Sequence, residues 1–456
     1  MRPATLAEVA RAVGADLPTT HVNMLVTGAA IDSRKVREGD VFFALRGRTD
    51  GADFAPEAHL RGAVATVAAR RLDVPTLVVD DPLKAMQRLA RWTLVRGDAP
   101  SPTVVGITGT VGKTTTKDAL ATILRHAGTR VSATAGNLNN EIGLPLTVLS
   151  ADPRTEVLVL EMGATHAGDI EYLCGIAPPE IGVLTAISPV HLDSFGSLEA
   201  LAAAKGELAL ALPDSGTLVA PAAAPAAATG KGRNLSRITF ARDGDADLVA
   251  SEIEGRNEGL HFIAHHGEES SEVRSPVFGT HLVEPLLASL GGALALGLGL
   301  EEGARGLSRL RRTGLRGDVY RLREDITVYD DTYNASPAAV AAVLKYGGDQ
   351  ATRQGRRLVV VLGGMFELGA CARAYHQEAG RLAGEVGVDL LVCVGDEARW
   401  YAEAFPGKAL YYEDAETAAE ALREELRSGD YLIVKGSRGV GLDALTRKLR
   451  ESLALV

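Results

Sequence analysis

The chain is short of cysteine, of long apolar runs and of positive charge, and each shortage excludes a class of protein. Only three cysteines occur in 456 residues. Cys174, Cys371 and Cys393 form no CxxC pair and no framework, so no disulfide scaffold is expected and a reducing cytoplasm suits them. Apolar runs are broken by charge or glycine well before the ~18 residues that a membrane span needs. Met1-Arg2-Pro3 leads into an amphipathic segment carrying Glu8 and Asp16, a pattern that predicts no secretory signal. The net charge of −10 argues against a broad nucleic-acid surface. What remains is expected to be a soluble, cytoplasmic, multidomain α/β protein, and a monomer is expected. Its 46% hydrophobic content supplies several cores, and its length suggests about three domains at ~150 residues each.

The strongest local signal is Thr103–Leu120, TVVGITGTVGKTTTKDAL. Val104, Val105 and Ile107 read as a buried parallel strand. A small-residue turn, Gly109-Thr110-Val111-Gly112, follows, and Lys113-Thr114-Thr115-Thr116 opens a helix. A phosphate chain needs converging backbone N–H groups, no intruding side chains and the positive end of a helix dipole. Lys113 is expected to reach the outer phosphates of ATP, and the Thr114 hydroxyl to sit on Mg²⁺. The spacing departs from G-x-x-x-x-G-K-[ST], because Ile107 stands where the first glycine belongs.

Other candidates follow in chain order. Ser33-Arg34, near glycine turns, reads as an anion site or as a surface arginine. The segment Gly136-Asn137-Leu138-Asn139-Asn140-Glu141-Ile142-Gly143 offers amides that donate and accept without adding charge. Val157–Leu160 predicts a strand ending in Glu161, where an acid beside a P-loop commonly holds Mg²⁺. A second strand, Ile181–Ile187, leads to His191 in an equivalent position, which makes it a metal candidate. Lys205 stands on a helix of small apolar residues and, read alone, is a snorkelling lysine. Asp330 to Pro337, with Asn334, marks another strand end. Lys435-Gly436-Ser437-Arg438-Gly439 is a cationic glycine turn suited to carboxylate or phosphate.

The loop Thr-Gly-Thr-x-Gly-Lys-Thr-Thr resembles that of the Mur ligase superfamily. Within it, the Asn-rich segment at Gly136–Thr147 is similar to the branch that attaches D-alanyl-D-alanine to UDP-muramoyl tripeptides. The resemblance covers essentially the whole chain. It implies an ATP- and Mg²⁺-dependent, ADP-forming amide ligase of peptidoglycan precursor synthesis that works through an acyl phosphate. The implied domains are a small N-terminal α/β nucleotide-sugar domain (1–98), a central P-loop parallel-sheet ATPase domain (99–311) and a C-terminal dinucleotide-fold-like ligase domain (312–456). Implied nucleotide contacts are Gly109, Thr110, Gly112, Lys113, Thr114, Thr115, Arg316 and Asn334. Two Mg²⁺ ions fall to Thr114, Glu161, His191 and a carbamylated Lys205, the last from the Ala-Lys-Gly-Glu match. Lys113, His191 and Lys205 carry the catalysis. Ser33 and Arg34 face the UDP portion, and Asn139, Asn140, Lys435 and Arg438 complete the contacts to the muramoyl peptide and the dipeptide amine.

The chain departs from the family pattern at Thr165, Ala186, Leu282 and Pro285, where Asn is expected, and at Gly364, where Asp is expected. These departures feed a second reading, a related ligase that makes a different amide in specialised metabolism. Lys113, Glu161, His191 and Lys205 argue against a third, a non-catalytic nucleotide-binding homologue. The stretch Val219–Gly232, rich in Pro and Ala, is expected to be a mobile surface loop.

Overall fold

Strands and helices alternate through the computed structural model, which describes residues 1–16, 22–97, 100–188, 195–230, 232–256, 258–311 and 317–453. The first sheet has four parallel strands in chain order, Gly28–Ala30, Asp40–Phe43, Ala65–Ala68 and Thr76–Val78. Beside it the helix Leu6–Val13 starts with a reciprocal cap: Glu8 N–H donates to Thr5 Oγ1, and Thr5 N–H to Glu8 Oε2. A further helix, Ala55–Leu60, follows the 3₁₀ turn Gly51–Phe54. Pro56 in its first turn is compatible with helix, since the missing N–H has no partner there.

The second sheet has nine strands and contains the P-loop strand Thr103–Thr108 near its middle. Seven strands are parallel, in the order Val131–Ala133, Val157–Glu161, Thr103–Thr108, Ile181–Leu184, Thr217–Pro221, Ser236–Ala241 and Leu248–Arg256. Gly259–His266 and Glu269–Ser275 extend it antiparallel. Val157–Glu161 and Ile181–Leu184 follow the P-loop strand in sequence yet flank it on opposite sides. Loops leaving the strand ends therefore diverge, and a crevice opens at their carboxyl ends. Ile107 lies directly beside Glu161 in the register, so the acid sits level with the start of the loop.

The third sheet orders its parallel strands Thr327–Asp331, Tyr431–Lys435, Leu358–Gly363, Leu390–Val394 and Lys408–Tyr412, with Asp318–Arg321 antiparallel at one edge. No phosphate loop follows its first strand. Pro337 opens the helix Pro337–Gln354.

Apolar packing divides unequally among the three sheets. Val9, Phe43, Met86 and Leu89 share one buried cluster with Leu144, Leu158 and Leu173 of the central sheet. The third sheet buries its two faces in clusters of its own, joined among the described buried residues only by Phe278 from the central part. The first border is thus a continuous core, while the second leaves a cleft.

The expectation of a mobile loop at Val219–Gly232 is corrected by the structure, Lys231 lying outside the described residues. Thr217–Pro221 is a strand with Val219 and Ala220 buried, and Ala226–Ala228 forms a short 3₁₀ turn with Ala228 buried. The small side chains that make the stretch look featureless let its backbone lie flat on the helix Leu198–Ala211. A methyl group at Gly206 would run into the Ala227 carbonyl oxygen and lie 3.0 Å from Ala228 Cα. Gly206→Val is therefore expected to destabilise the chain by about 1–3 kcal/mol through overpacking against backbone. The urea midpoint reads this directly, and an unchanged midpoint means that the segment is not docked.

Candidate active site

The P-loop closes by backbone geometry that two glycines permit. Gly109 and Gly112 have φ of +143° and +84°, which strain any side-chain-bearing residue. A Cβ at Gly112 would also lie 2.9 Å from Pro285 Cγ. The loop is pinned to the end of the neighbouring strand: Thr110 N–H donates to Ala186 O at 2.9 Å, and the Thr185 hydroxyl donates to Val111 O at 2.6 Å. Thr185 N–H still donates to Thr108 O, but Ala186 O is taken by the loop amide of Thr110, so the strand expected to reach Ile187 ends at Leu184. Thr110 Oγ1 and Ser188 Oγ lie 2.8 Å apart.

Lys113 Nζ folds back and donates to Gly109 O at 2.7 Å and Thr110 O at 3.1 Å. Its ammonium thus occupies the hollow of the loop at the start of the helix Lys113–His126, where backbone amides and the helix dipole also favour an anion.

Glu161 is only 3% exposed, and each of its carboxylate oxygens accepts a hydrogen bond. Thr114 Oγ1 donates to Oε2 at 2.8 Å, and Asn139 Nδ2 donates to Oε1 at 2.8 Å. The Glu161 N–H donates to Thr134 Oγ1 at 2.9 Å, while Lys117 Nζ donates to Thr134 O at 2.7 Å. Thr134 and Lys117 belong to this cluster although the sequence did not single them out. Lys117 had a legible signal, one helical turn beyond Lys113. Thr134 had none, because its place depends on how Val131–Ala133 pairs with Val157–Glu161.

Lys205 is 2% exposed; its Nζ donates to Ala164 O at 3.2 Å and lies 5.6 Å from the centre of the Phe195 ring. Burial, reinforced by the charge of Lys113 and opposed by Asp169 and Glu207, brings its pKa down to about 7. Glu207 accepts N–H bonds from Gly168 at 2.7 Å and from Ile170 and Glu171 at 3.1 Å each. The acid of the Ala-Lys-Gly-Glu stretch thus caps the helix Asp169–Ile176.

These groups face the third sheet across a cleft of about 990 Å³. On the far wall Asp331 and Lys435, register neighbours on adjacent strands, form a 2.5 Å ion pair. Lys435 Nζ also donates to Asn334 O at 2.8 Å. Burial lowers the pKa of His281, in the same cleft, to about 4, so the ring is neutral. Its Nδ1 is buried without a hydrogen-bond partner among the described residues.

Of the residues singled out from sequence, Gly109, Thr110, Gly112, Lys113, Thr114, Thr115, Asn139, Asn140, Glu161, Lys205, Asn334 and Lys435 all line this one cleft. Asn140 spends its Oδ1 on the N–H groups of Ile142 and Gly143, at the start of the helix Gly143–Leu149. Arg438 lies outside the lining, 5.4 Å from the centre of the Tyr333 ring. Ser33 and Arg34 lie on a 3₁₀ turn, Ser33–Lys35, that follows the first strand of the N-terminal sheet, and neither lines the cleft. Ser33 Oγ donates to Glu57 Oε2 at 2.7 Å, and the Arg34 guanidinium makes two 2.9 Å bonds to Asp32, holding that carboxyl down at about 2. His191 and Arg316 lie outside the described residues. Among the departures, Thr165, Ala186, Leu282 and Pro285 all line the cleft and Gly364 does not; a Cβ at Gly364 would come within 3.2 Å of Phe366.

Three family models match the chain in order: the Mur ligase family catalytic domain over residues 25–91, the Mur ligase middle domain over 107–293 and the Mur ligase glutamate ligase domain over 315–438. The UDP-N-acetylmuramoyl-tripeptide–D-alanyl-D-alanine ligase of Mycobacterium tuberculosis is 36% identical, covering 98% of this chain and 97% of its own length. The chain belongs to the Mur ligase family. The Bacillus subtilis ligase of the same name is 32% identical over 94% of both chains. The MurF crystal structure from Acinetobacter baumannii superposes with a TM-score of 0.88 at 28% identity over 99% of both chains. The MurF ligase of Thermotoga maritima in complex with ADP gives 0.82 at 30% identity, over 93% of this chain and 97% of that one. The Mur ligase fold expected from the sequence, three α/β domains with parallel sheets, is thereby borne out. Among the described residues no helix is long and apolar enough to cross a membrane, and no three His, Cys, Asp or Glu side chains converge as a metal cluster.

The buried lysine of this Mur ligase carries a pH signature. Lys205 binds its proton more weakly folded than unfolded, so between about pH 7 and the ordinary lysine range the unfolded chain holds more protons. Its contribution to stability therefore improves as pH rises through that window and is least favourable below it. Lys205→Met should raise the urea midpoint at pH 6.5 and lose that advantage by pH 10. A midpoint difference independent of pH contradicts the lowered pKa.

Proposed function

We infer that this chain is an ATP-dependent, ADP-forming ligase that joins D-alanyl-D-alanine to UDP-N-acetylmuramoyl-tripeptide during peptidoglycan precursor synthesis. The observation that carries the reading is the convergence of Lys113, Thr114, Glu161 and Asn139 on one cleft, in a chain 36% identical end to end to a ligase of that name. The divisions 1–98, 99–311 and 312–456 assign it an acceptor domain, an ATP domain and a domain that brings the amine. The protein works as a cytoplasmic monomer.

A carboxylate is a poor electrophile toward an amine. Its oxygen therefore first attacks the γ-phosphorus of ATP, releasing ADP and leaving an acyl phosphate. The dipeptide amine then attacks the acyl carbon, the C–O bond to phosphate breaks, and a proton is lost from nitrogen as the amide forms. Phosphoryl transfer asks for alignment and charge neutralisation more than for a covalent catalyst. Lys113 and the loop amides at Gly109, Thr110, Gly112 and Thr115 cradle the phosphates. Asn334 and Arg316 approach the nucleotide from the third domain. Ser33 and Arg34 hold the uridine nucleotide; Asn139, Asn140, Lys435 and Arg438 contact the peptide portions.

The oxygens of Thr114 and Glu161, paired and buried, are the donor type a hard cation selects. With His191 and Lys205 they would hold two Mg²⁺ ions, which supply charge neutralisation to the transferring phosphoryl group when bound. A bare ammonium at Lys205 fits that set poorly. Burial lowers its pKa to about 7, so a substantial share of it is the neutral amine near neutral pH. The free amine adds CO₂ at nitrogen and loses one proton, giving a carbamate anion that suits the set.

The purified chain should release phosphate from ATP only when both UDP-muramoyl tripeptide and D-alanyl-D-alanine are present, and single D-alanine should not replace the dipeptide. Release with an unrelated amine and none with the dipeptide overturns the assignment. Lys113→Ala should lower the rate on the order of 10²- to 10³-fold, the scale of removing one preorganised charge from a transition state. Lys205→Ala should lose most activity and regain part of it with a short carboxylic acid, whereas Lys205→Arg should not be rescued. Full activity in Lys205→Arg contradicts the carbamate.

A further inference from the structure

Gln87 is a glutamine inside a helix of ordinary amphipathic pattern, Pro82–Val95, and is 6% exposed. A buried primary amide is costly unless both of its ends are satisfied. Here they are satisfied by two different arms of the cleft. Gln87 Nε2 donates to the Glu141 carbonyl at 2.8 Å, and Gln87 Oε1 accepts from the Tyr172 hydroxyl at 2.5 Å. The carbonyl can only accept, which fixes the amide orientation. Glutamine offers a donor and an acceptor at once without a titratable proton.

Each arm leads to a group already placed in the site. Glu141 belongs to the segment whose Asn139 donates to Glu161 Oε1 and whose backbone Asn139 O accepts from Gly163 N–H at 2.8 Å. Tyr172 lies on the helix Asp169–Ile176, whose amino end is held by Glu207, two residues from Lys205. The helix that carries Gln87 follows the last strand of the N-terminal sheet, Thr76–Val78, and shares its apolar cluster.

We propose that Gln87 is a positioning residue that ties the N-terminal domain to the two arms framing Glu161 and Lys205, and so sets the nucleotide site. The functional part of this proposal rests on the ligase reading; the mechanical part does not. Three variants of the full chain separate the arms. Gln87→Glu keeps the acceptor for Tyr172 and loses the donor to Glu141. Tyr172→Phe does the reverse, and Gln87→Met loses both.

Amide hydrogen exchange without ligands reads each arm. Loss of one net hydrogen bond should raise local exchange by about fivefold. In Gln87→Glu the rise is expected at the amides of Gly143, Leu144 and Gly163. In Tyr172→Phe it is expected at Gly168, Ile170 and Glu171, and in Gln87→Met at both groups. Strand Thr103–Thr108 should stay protected throughout. Unchanged exchange at both groups in Gln87→Met overturns the proposal, as does an equal rise that includes Thr103–Thr108. In phosphate-release assays Gln87→Met should raise the KM for ATP by about fivefold, the same single-bond scale. A fall in kcat alone, matched by the unfolded fraction, also overturns it. If the wild-type chain fails with D-alanyl-D-alanine the ligase reading falls, while the exchange result still decides the tie.

Discussion

The site depends on one buried carboxylate. Glu161 ends a strand inside the central sheet, where an unsatisfied charge is costly. Thr114 and Asn139 each give one hydrogen bond to its oxygens, and both residues come from segments distant in sequence. Satisfying Glu161 therefore brings the P-loop helix and the Asn-rich segment to one place. The same contacts leave those oxygens grouped where phosphate and cation chemistry is needed. Stability and function draw on one arrangement here.

Around that centre the two domain borders differ in physical kind. Apolar side chains from the first and second sheets interpenetrate in one cluster, which ties the N-terminal sheet to the ATP-binding sheet. The border with the third sheet is instead a cleft, faced by Lys113 and Lys205 on one side and the Asp331–Lys435 pair on the other. A cleft of this kind suits substrates that must enter, lose water and leave as products. The third sheet keeps cores of its own and so can hold its shape independently of that border.

Much of this arrangement was legible in the chain. The β-branched run before Gly109, the glycine turn and the Lys-Thr-Thr helix start each carry a local signal, and the strand ends at Glu161 and Asp331 follow from apolar runs meeting acids. Local patterns fared worse where tertiary contacts set the outcome. The Pro- and Ala-rich stretch looked unstructured because its small side chains show no period, yet their smallness is what lets the backbone dock at Gly206. The strand predicted to reach Ile187 stops at Leu184 because the carbonyl of Ala186 pairs with the P-loop amide of Thr110, a partner far away in sequence, in place of a strand.

The sequence by itself determined the nucleotide loop, the alternation that makes parallel sheets and the family, because those rest on short-range spacing and backbone conformation. Only the tertiary structure decided which polar residues meet. Lys205 becomes a weak base because the fold withdraws it from water beside Lys113, and neither cause is written near residue 205. Gln87 and Thr134 enter the site through strand register and helix packing, which no local pattern encodes. Burial and long-range pairing are collective properties of the folded chain, and they convert ordinary side chains into the chemistry of the cleft.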